Sequence, residues 1–219
     1  MQLSLPEWRG TEEVTRRIAF LTKGETPFGR KLCSALAHLG YSIGFTCSKE
    51  SACDLQKAVE STGKSALAFA VTDFDASTLS EAVVATVEHF GRLDVLVFLT
   101  DPPSGASNML LELDEGDWDS CMNRGAKGFF LLAKYALPYL IDGETSHVIV
   151  LETPRGDARE SNATEGASDG ALAAVLSGIS EELASCGIKL TYRNHREIAE
   201  AESDPTTLLE RILLVTSRE

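Results

Sequence analysis

The chain contains no apolar run approaching the roughly 20 residues that a membrane-spanning helix needs, although 43% of its residues are apolar and 24% charged. It has no run of basic residues to set against a net charge of −13. So acidic a chain repels phosphodiester backbones and anionic lipid, and neither nucleic acid nor a membrane is expected as a partner. The five cysteines, Cys33, Cys47, Cys53, Cys121 and Cys186, include no C-x-x-C pair and are odd in number. Reduced thiols in a cytoplasm follow from that, rather than a disulfide framework. The four histidines, His38, His89, His147 and His195, lack metal-ligand spacing, so no metal site is expected. Residues 1–16 carry neither a basic flank before a long apolar stretch nor an arginine-rich amphipathic pattern, and are read as an extension rather than a targeting peptide. In a cytoplasmic chain the glycosylation pattern at Asn162-Ala-Thr164 is a chance match.

What is present is an alternation of short β-branched apolar runs with amphipathic stretches. This is the signature of a parallel sheet covered on both faces. Strands are expected at 17–21, 42–46, 66–70, 95–99, 147–151 and 189–192. Helices are expected at 28–39, 51–61, 77–90, 167–185 and 206–216, with an interrupted one over 114–140. Crossovers of this length are right-handed, which gives an α/β fold with a doubly wound, Rossmann-type parallel sheet. Residues 17–219 are read as a single domain.

Several segments in order resemble the short-chain dehydrogenase/reductase family. His89-Phe-Gly-Arg-Leu-Asp-Val-Leu-Val97 is similar to its entry into the fourth strand. Asp117-Trp-Asp, Ala126-Lys-Gly-Phe-Phe130, Val148-Ile-Val150 and the ending Glu182-Leu-Ala-Ser-Cys-Gly-Ile-Lys-Leu190 continue the likeness, which spans about residues 17–216. The resemblance implies the fold and says less about activity, because function lives in the site.

The site positions that the resemblance picks out have changed. Counting back from Glu182, Glu165 falls at the catalytic tyrosine and Asp169 at the catalytic lysine, while Ser168, Ala171 and Leu172 keep the family pattern. A glutamate is ionised at neutral pH and has no proton to give, and a second carboxylate disfavours an anionic intermediate. Gly125 stands for the proton-relay asparagine, and Thr153 or Pro154 for the catalytic serine. In the phosphate-binding loop, Thr22-Lys-Gly-Glu-Thr-Pro-Phe-Gly29, Lys23 and Pro27 replace two of the glycines and only Gly29 is kept. Thr26 and Pro27 make a good helix start without any ligand, and Lys23 gripping a phosphate is the weaker alternative. After the second strand, where the family reads the adenosine ribose, the run is Cys47-Ser-Lys49, whose Lys49 is a solvated lysine or, as the weaker alternative, an acceptor of a 2′-phosphate; Asp73 matches the adenine-contacting aspartate of the family; and Phe98-Leu-Thr-Asp101 replaces its loop after the fourth strand.

The expectation is therefore a chain that is not an enzyme and binds no cofactor. It would be an inactive subunit assembling with an active paralogue in a hetero-oligomer, or with itself as a homodimer. The pattern is similar to the two-subunit dehydrogenase acting on a hydroxybenzylsuccinyl-CoA intermediate in anaerobic toluene degradation, one of whose subunits is a non-enzyme. The substrate lid and seventh strand of active relatives are expected to be missing, since Tyr192-Arg-Asn-His195 leads through 196–205 straight to the last helix. Phe129, Phe130, Leu137 and Ala174 are the interface candidates, on two helices that form the dimer bundle in the family. Two alternatives stand beside this. One is an active NAD(P)-dependent oxidoreductase with a divergent site, needing a replacement acid such as Tyr135 or Tyr192. The other is a small-ligand sensor or scaffold.

Overall fold

A computed structural model describes residues 17–71, 76–100, 109–143, 145–153, 162–195, 197–198 and 204–214. Its strands are β1 (Arg17–Leu21), β2 (Tyr41–Cys47), β3 (Ala66–Ala70), β4 (Val95–Leu99), β5 (Ser146–Leu151) and β6 (Ile188–Arg193). They form one six-stranded sheet in the order β3-β2-β1-β4-β5-β6, and every pairing is parallel. The helices are α1 (Pro27–His38), α2 (Ala52–Glu60), α3 (Ala76–Phe90), α4 (Glu115–Arg124), α5 (Ala126–Ile141), α6 (Ala163–Ser185) and α7 (Pro205–Leu214), with a 3₁₀ turn at Leu110–Glu112.

The central strands are apolar throughout because both faces are covered. Successive side chains alternate between faces, so Ala19 and Leu21 of β1 join a core with Leu32, Leu36, Leu55 and Leu209. Ile18 and Phe20 join the opposite core with Leu79, Phe129, Leu132 and Leu172. Chain order reverses between β1 and β4, which opens a crevice at their carboxyl ends. Among the described residues the sheet has six strands, and no helix is long and apolar enough to cross a membrane.

Two helix starts shape the site. Thr26 caps α1 by accepting from Gly29 N at 3.0 Å, with Pro27 as the first helical residue. α6 begins at Ala163, four residues ahead of the expected start, because Asn162 and Glu165 close a reciprocal capping box on it.

Candidate functional site

The crevice between β1 and β4 is where an open α/β sheet binds its ligand, and the 22–29 turn forms one wall of it. Thr22 N donates to Val97 O, Gly24 N to Thr46 O and Thr26 N to Lys23 O. Lys23 N donates to Thr46 Oγ1 and Gly29 N to Thr26 Oγ1. Pro27 has no N–H. The amides of Lys23, Gly24, Thr26 and Gly29, part of the set that would cradle a pyrophosphate at a helix start, are thus committed within the fold. Lys23 takes the left-handed backbone a glycine would favour, with φ 57°. Its side chain lies in the crevice, 3% exposed, with Nζ 3.3 Å from Arg124 O and 5.5 Å from the centre of the Phe98 ring. Gly29 is kept for sterics, since a Cβ there would overlap the Lys23 carbonyl. As folded, this turn does not fit a dinucleotide pyrophosphate bound in the glycine-loop manner.

At the end of β2, Cys47 is buried. Burial, then the nearby Glu25 carboxylate, push its thiol up to about 11. Lys49 is exposed beyond it. Asp73, Asp101 and Pro154 lie outside the described residues.

The positions where the resemblance places catalytic groups are occupied by structural contacts. Glu165 is buried and spends its carboxylate on Asn162 N at 3.1 Å, where the positive end of α6 favours it. Ser168 donates to Cys121 O at 3.0 Å. Gly125 joins α4 to α5 directly beneath it, and a Cβ at 125 would overlap Ser168 Oγ and lie 3.0 Å from Cys121 O. An asparagine cannot enter there while α6 sits so close. Thr153 keeps a buried hydroxyl, but donates it to Thr100 O, and its N–H donates to Thr100 Oγ1 at 3.2 Å, tying the ends of β4 and β5 together.

Beside Thr153 lies a cluster of proton-bearing groups that sequence reasoning did not assemble. Glu152 is buried just beyond β5. Its Oε1 accepts from the Tyr192 hydroxyl, and its Oε2 from both His195 Nδ1 at 2.7 Å and His195 N at 3.0 Å. Burial pushes the Glu152 carboxyl up, but the bonds from Tyr192 and His195 outweigh it and the net shift is downward, so it stays an anion. Burial, the Glu152 anion, and the charges of Asp169 and Glu197 all push the Tyr192 phenol up. Asp169 is half-buried on α6. The β5–β6 register, with Leu151 opposite Arg193, makes the cluster possible. Tyr135 lies on α5, on a different element.

Residues 17–194 match the short chain dehydrogenase family. The chain belongs to that family. Over 180 residues the chain is 24% identical to an uncharacterized oxidoreductase of Staphylococcus epidermidis, covering 82% of this chain and 76% of the other. Over 173 residues it is 26% identical to the 3-oxoacyl-(acyl-carrier-protein) reductase FabG of Staphylococcus aureus, covering 78% and 70%. Its fold is similar to that of a metagenomic short-chain oxidoreductase crystallised in complex with NADP, with a TM-score of 0.77 and 18% identity over 93% of this chain and 91% of the other.

These relatives overturn the expectation that the chain is not an enzyme, since they are named as an oxidoreductase and a reductase. None of them points to anaerobic toluene degradation. The physical reason for the correction is that fixed positions were equated with chemistry. Glu165 and Asp169 have lost the family's acid, but Tyr192, His195 and Glu152 bring ionisable groups to the same edge of the sheet. The interface candidates lie on α5 and α6. Phe129 is fully buried against Phe98, ring centres 5.4 Å apart, and serves the core. Phe130 is 50% exposed and Ala174 is exposed, while Leu137 is half-buried. Phe130, Ala133, Leu137, Val175, Ile179 and Leu183 line an apolar groove between α5 and α6.

Proposed function

We propose that this chain is an NAD(P)-dependent oxidoreductase with a divergent site, interconverting a hydroxyl and a carbonyl group. The observation that carries this is the Glu152, Tyr192 and His195 cluster at the carboxyl edge of β5 and β6. Groups that can give or take a proton there meet the need that the missing tyrosine leaves. Family membership brings the nicotinamide dinucleotide as hydride carrier. Because the 22–29 turn does not fit its pyrophosphate in the glycine-loop manner, affinity is expected to be weaker than in a glycine-loop relative. The apolar groove between α5 and α6 supports assembly with a second copy or with a paralogous subunit.

The test is a calorimetric titration with NADH and NADPH, followed by turnover of a panel of ketones and aldehydes read from nicotinamide absorbance. One dinucleotide is expected to bind and to be oxidised only when a carbonyl is present. Dissociation constants above about 1 mM for both, equivalent to less than about 4 kcal/mol of binding, together with no carbonyl-dependent oxidation, would contradict the proposal.

A further inference from the structure

We propose that Lys23 is an internal bolt: its ammonium fastens the 22–29 turn to the carboxyl end of α4, and the crevice between β1 and β4 opens only when that side chain withdraws. The identity of the ligand so excluded rests on the oxidoreductase function proposed above, whereas the bolt itself rests on geometry. Lys23 carries two costs that a glycine would avoid. Its backbone sits at φ 57°, where a side chain is unfavourable, and at 3% exposure its ammonium is taken out of water and needs partners. Those partners come from two other elements. Nζ donates to Arg124 O at 3.3 Å, at the end of α4, where a helix leaves its last carbonyls without intrahelical partners and its dipole favours a cation. It also lies 5.5 Å from the centre of the Phe98 ring in β4, within the range of about 6 Å over which an aromatic face attracts a cation.

The main chain of Lys23 is clamped as well. Its N–H donates to Thr46 Oγ1 at 2.9 Å, and its carbonyl accepts from Thr26 N at 3.2 Å and from Thr26 Oγ1 at 3.0 Å. With the backbone held at β2 and at the start of α1, the side chain ties the turn to a helix end 101 residues further along the chain. The turn and the α4–α5 junction are thus one mechanical unit. The disagreement between the family's dinucleotide and this turn has a cause in that unit: the turn's amides donate within the fold, and the lysine stem fills the space beside them. A ligand that requires the withdrawn form binds with an affinity reduced by the fraction of molecules in that form. Truncating the side chain to nothing removes the penalty, and removing only its charge releases the end of α4.

The experiment compares the full chain with Lys23→Met, which keeps the stem and removes the charge, and Lys23→Gly, which relieves the backbone and empties the crevice. Amide hydrogen exchange is followed by mass spectrometry without any ligand, and each protein is then titrated with NADH and NADPH by fluorescence. Unchanged exchange in β5 confirms that a variant is folded, and Lys23→Gly alone decides the matter where Lys23→Met does not fold. Exchange is expected to rise about fivefold or more both in the 22–29 turn and at residues 121–126, because the two open together. Lys23→Gly is expected to bind one dinucleotide at least about tenfold more tightly than wild type. Faster exchange confined to 22–29, with residues 121–126 within about twofold of wild type, overturns the bolt. So does a wild type that binds a dinucleotide and a Lys23→Gly variant that binds it no more tightly. Coupled exchange as expected, with neither protein binding NADH or NADPH below about 1 mM, overturns the oxidoreductase reading and leaves the bolt standing.

Discussion

Adding a single methyl group at residue 125 tests why the relay asparagine has gone. In Gly125→Ala the new Cβ falls on Ser168 Oγ and within 3.0 Å of Cys121 O. The clash has two outlets. Ser168 can rotate away, losing its 3.0 Å bond to Cys121 O, at about 1 kcal/mol for the bond and more if the carbonyl is left without a partner. Alternatively α6 can shift away from the α4–α5 junction, at the 1–3 kcal/mol typical of overpacking. The net expectation is a loss of about 2–4 kcal/mol, or roughly 10 °C in Tm for a domain of this size. Urea unfolding of Gly125→Ala, Ser168→Ala and the double variant measures it. The double variant should be more stable than Gly125→Ala alone, because the overlapping hydroxyl has gone. Additivity of the two single changes within about 0.5 kcal/mol, or a Gly125→Ala variant as stable as wild type, would refute the packing explanation.

Three further outcomes are expected. Glu165→Ala breaks the capping box on α6 and should cost about 1 kcal/mol in urea unfolding, whereas a larger loss of activity than of stability would assign it a chemical role instead. Because the Glu152 carboxyl lies below the ordinary value of 4.5 in the folded state, the stability it contributes is complete above that value and is lost as pH falls through the folded one. The stability gap between wild type and Glu152→Gln, about 2 kcal/mol at neutral pH, should therefore narrow as pH falls below 4.5; a gap that widens on acidification would contradict the assignment. Lys23→Gly empties the crevice beside Phe98 and restores a glycine where φ is 57°, so NAD(P)H should bind at least tenfold more tightly by fluorescence, and weaker binding would mean that Lys23 is itself a phosphate ligand.

The buried strands were the most legible part of the sequence. β1, β3 and β4 fall at the expected residues, since runs such as Val95–Leu99 are apolar throughout and fully buried, as strands covered on both faces must be. The start of α6 was not, although its cause was local. Asn162 and Glu165 stand three apart as a capping box, but Asn162 was read as a chance glycosylation match and Glu165 as an emptied tyrosine position. Gly125 could be noted as a change but not explained, because Ser168 reaches it from another helix. The Glu152–His195 pair was beyond sequence reasoning altogether. Its members lie 43 residues apart, on the carboxyl ends of neighbouring strands, and neither belongs to a recognisable motif. The only signal was positional: an acidic residue directly after one strand and a histidine shortly after the next, which a parallel register aligns.

The most direct test of the central claim is to follow a labelled hydride. Nicotinamide dinucleotide deuterated at the reactive ring carbon is incubated with the enzyme and a panel of carbonyl compounds, and the products are examined by mass spectrometry and NMR. A divergent oxidoreductase transfers deuterium to the former carbonyl carbon of at least one substrate, on one face. Products free of label with both NADH and NADPH, from a folded wild-type enzyme saturated with either, would contradict the account.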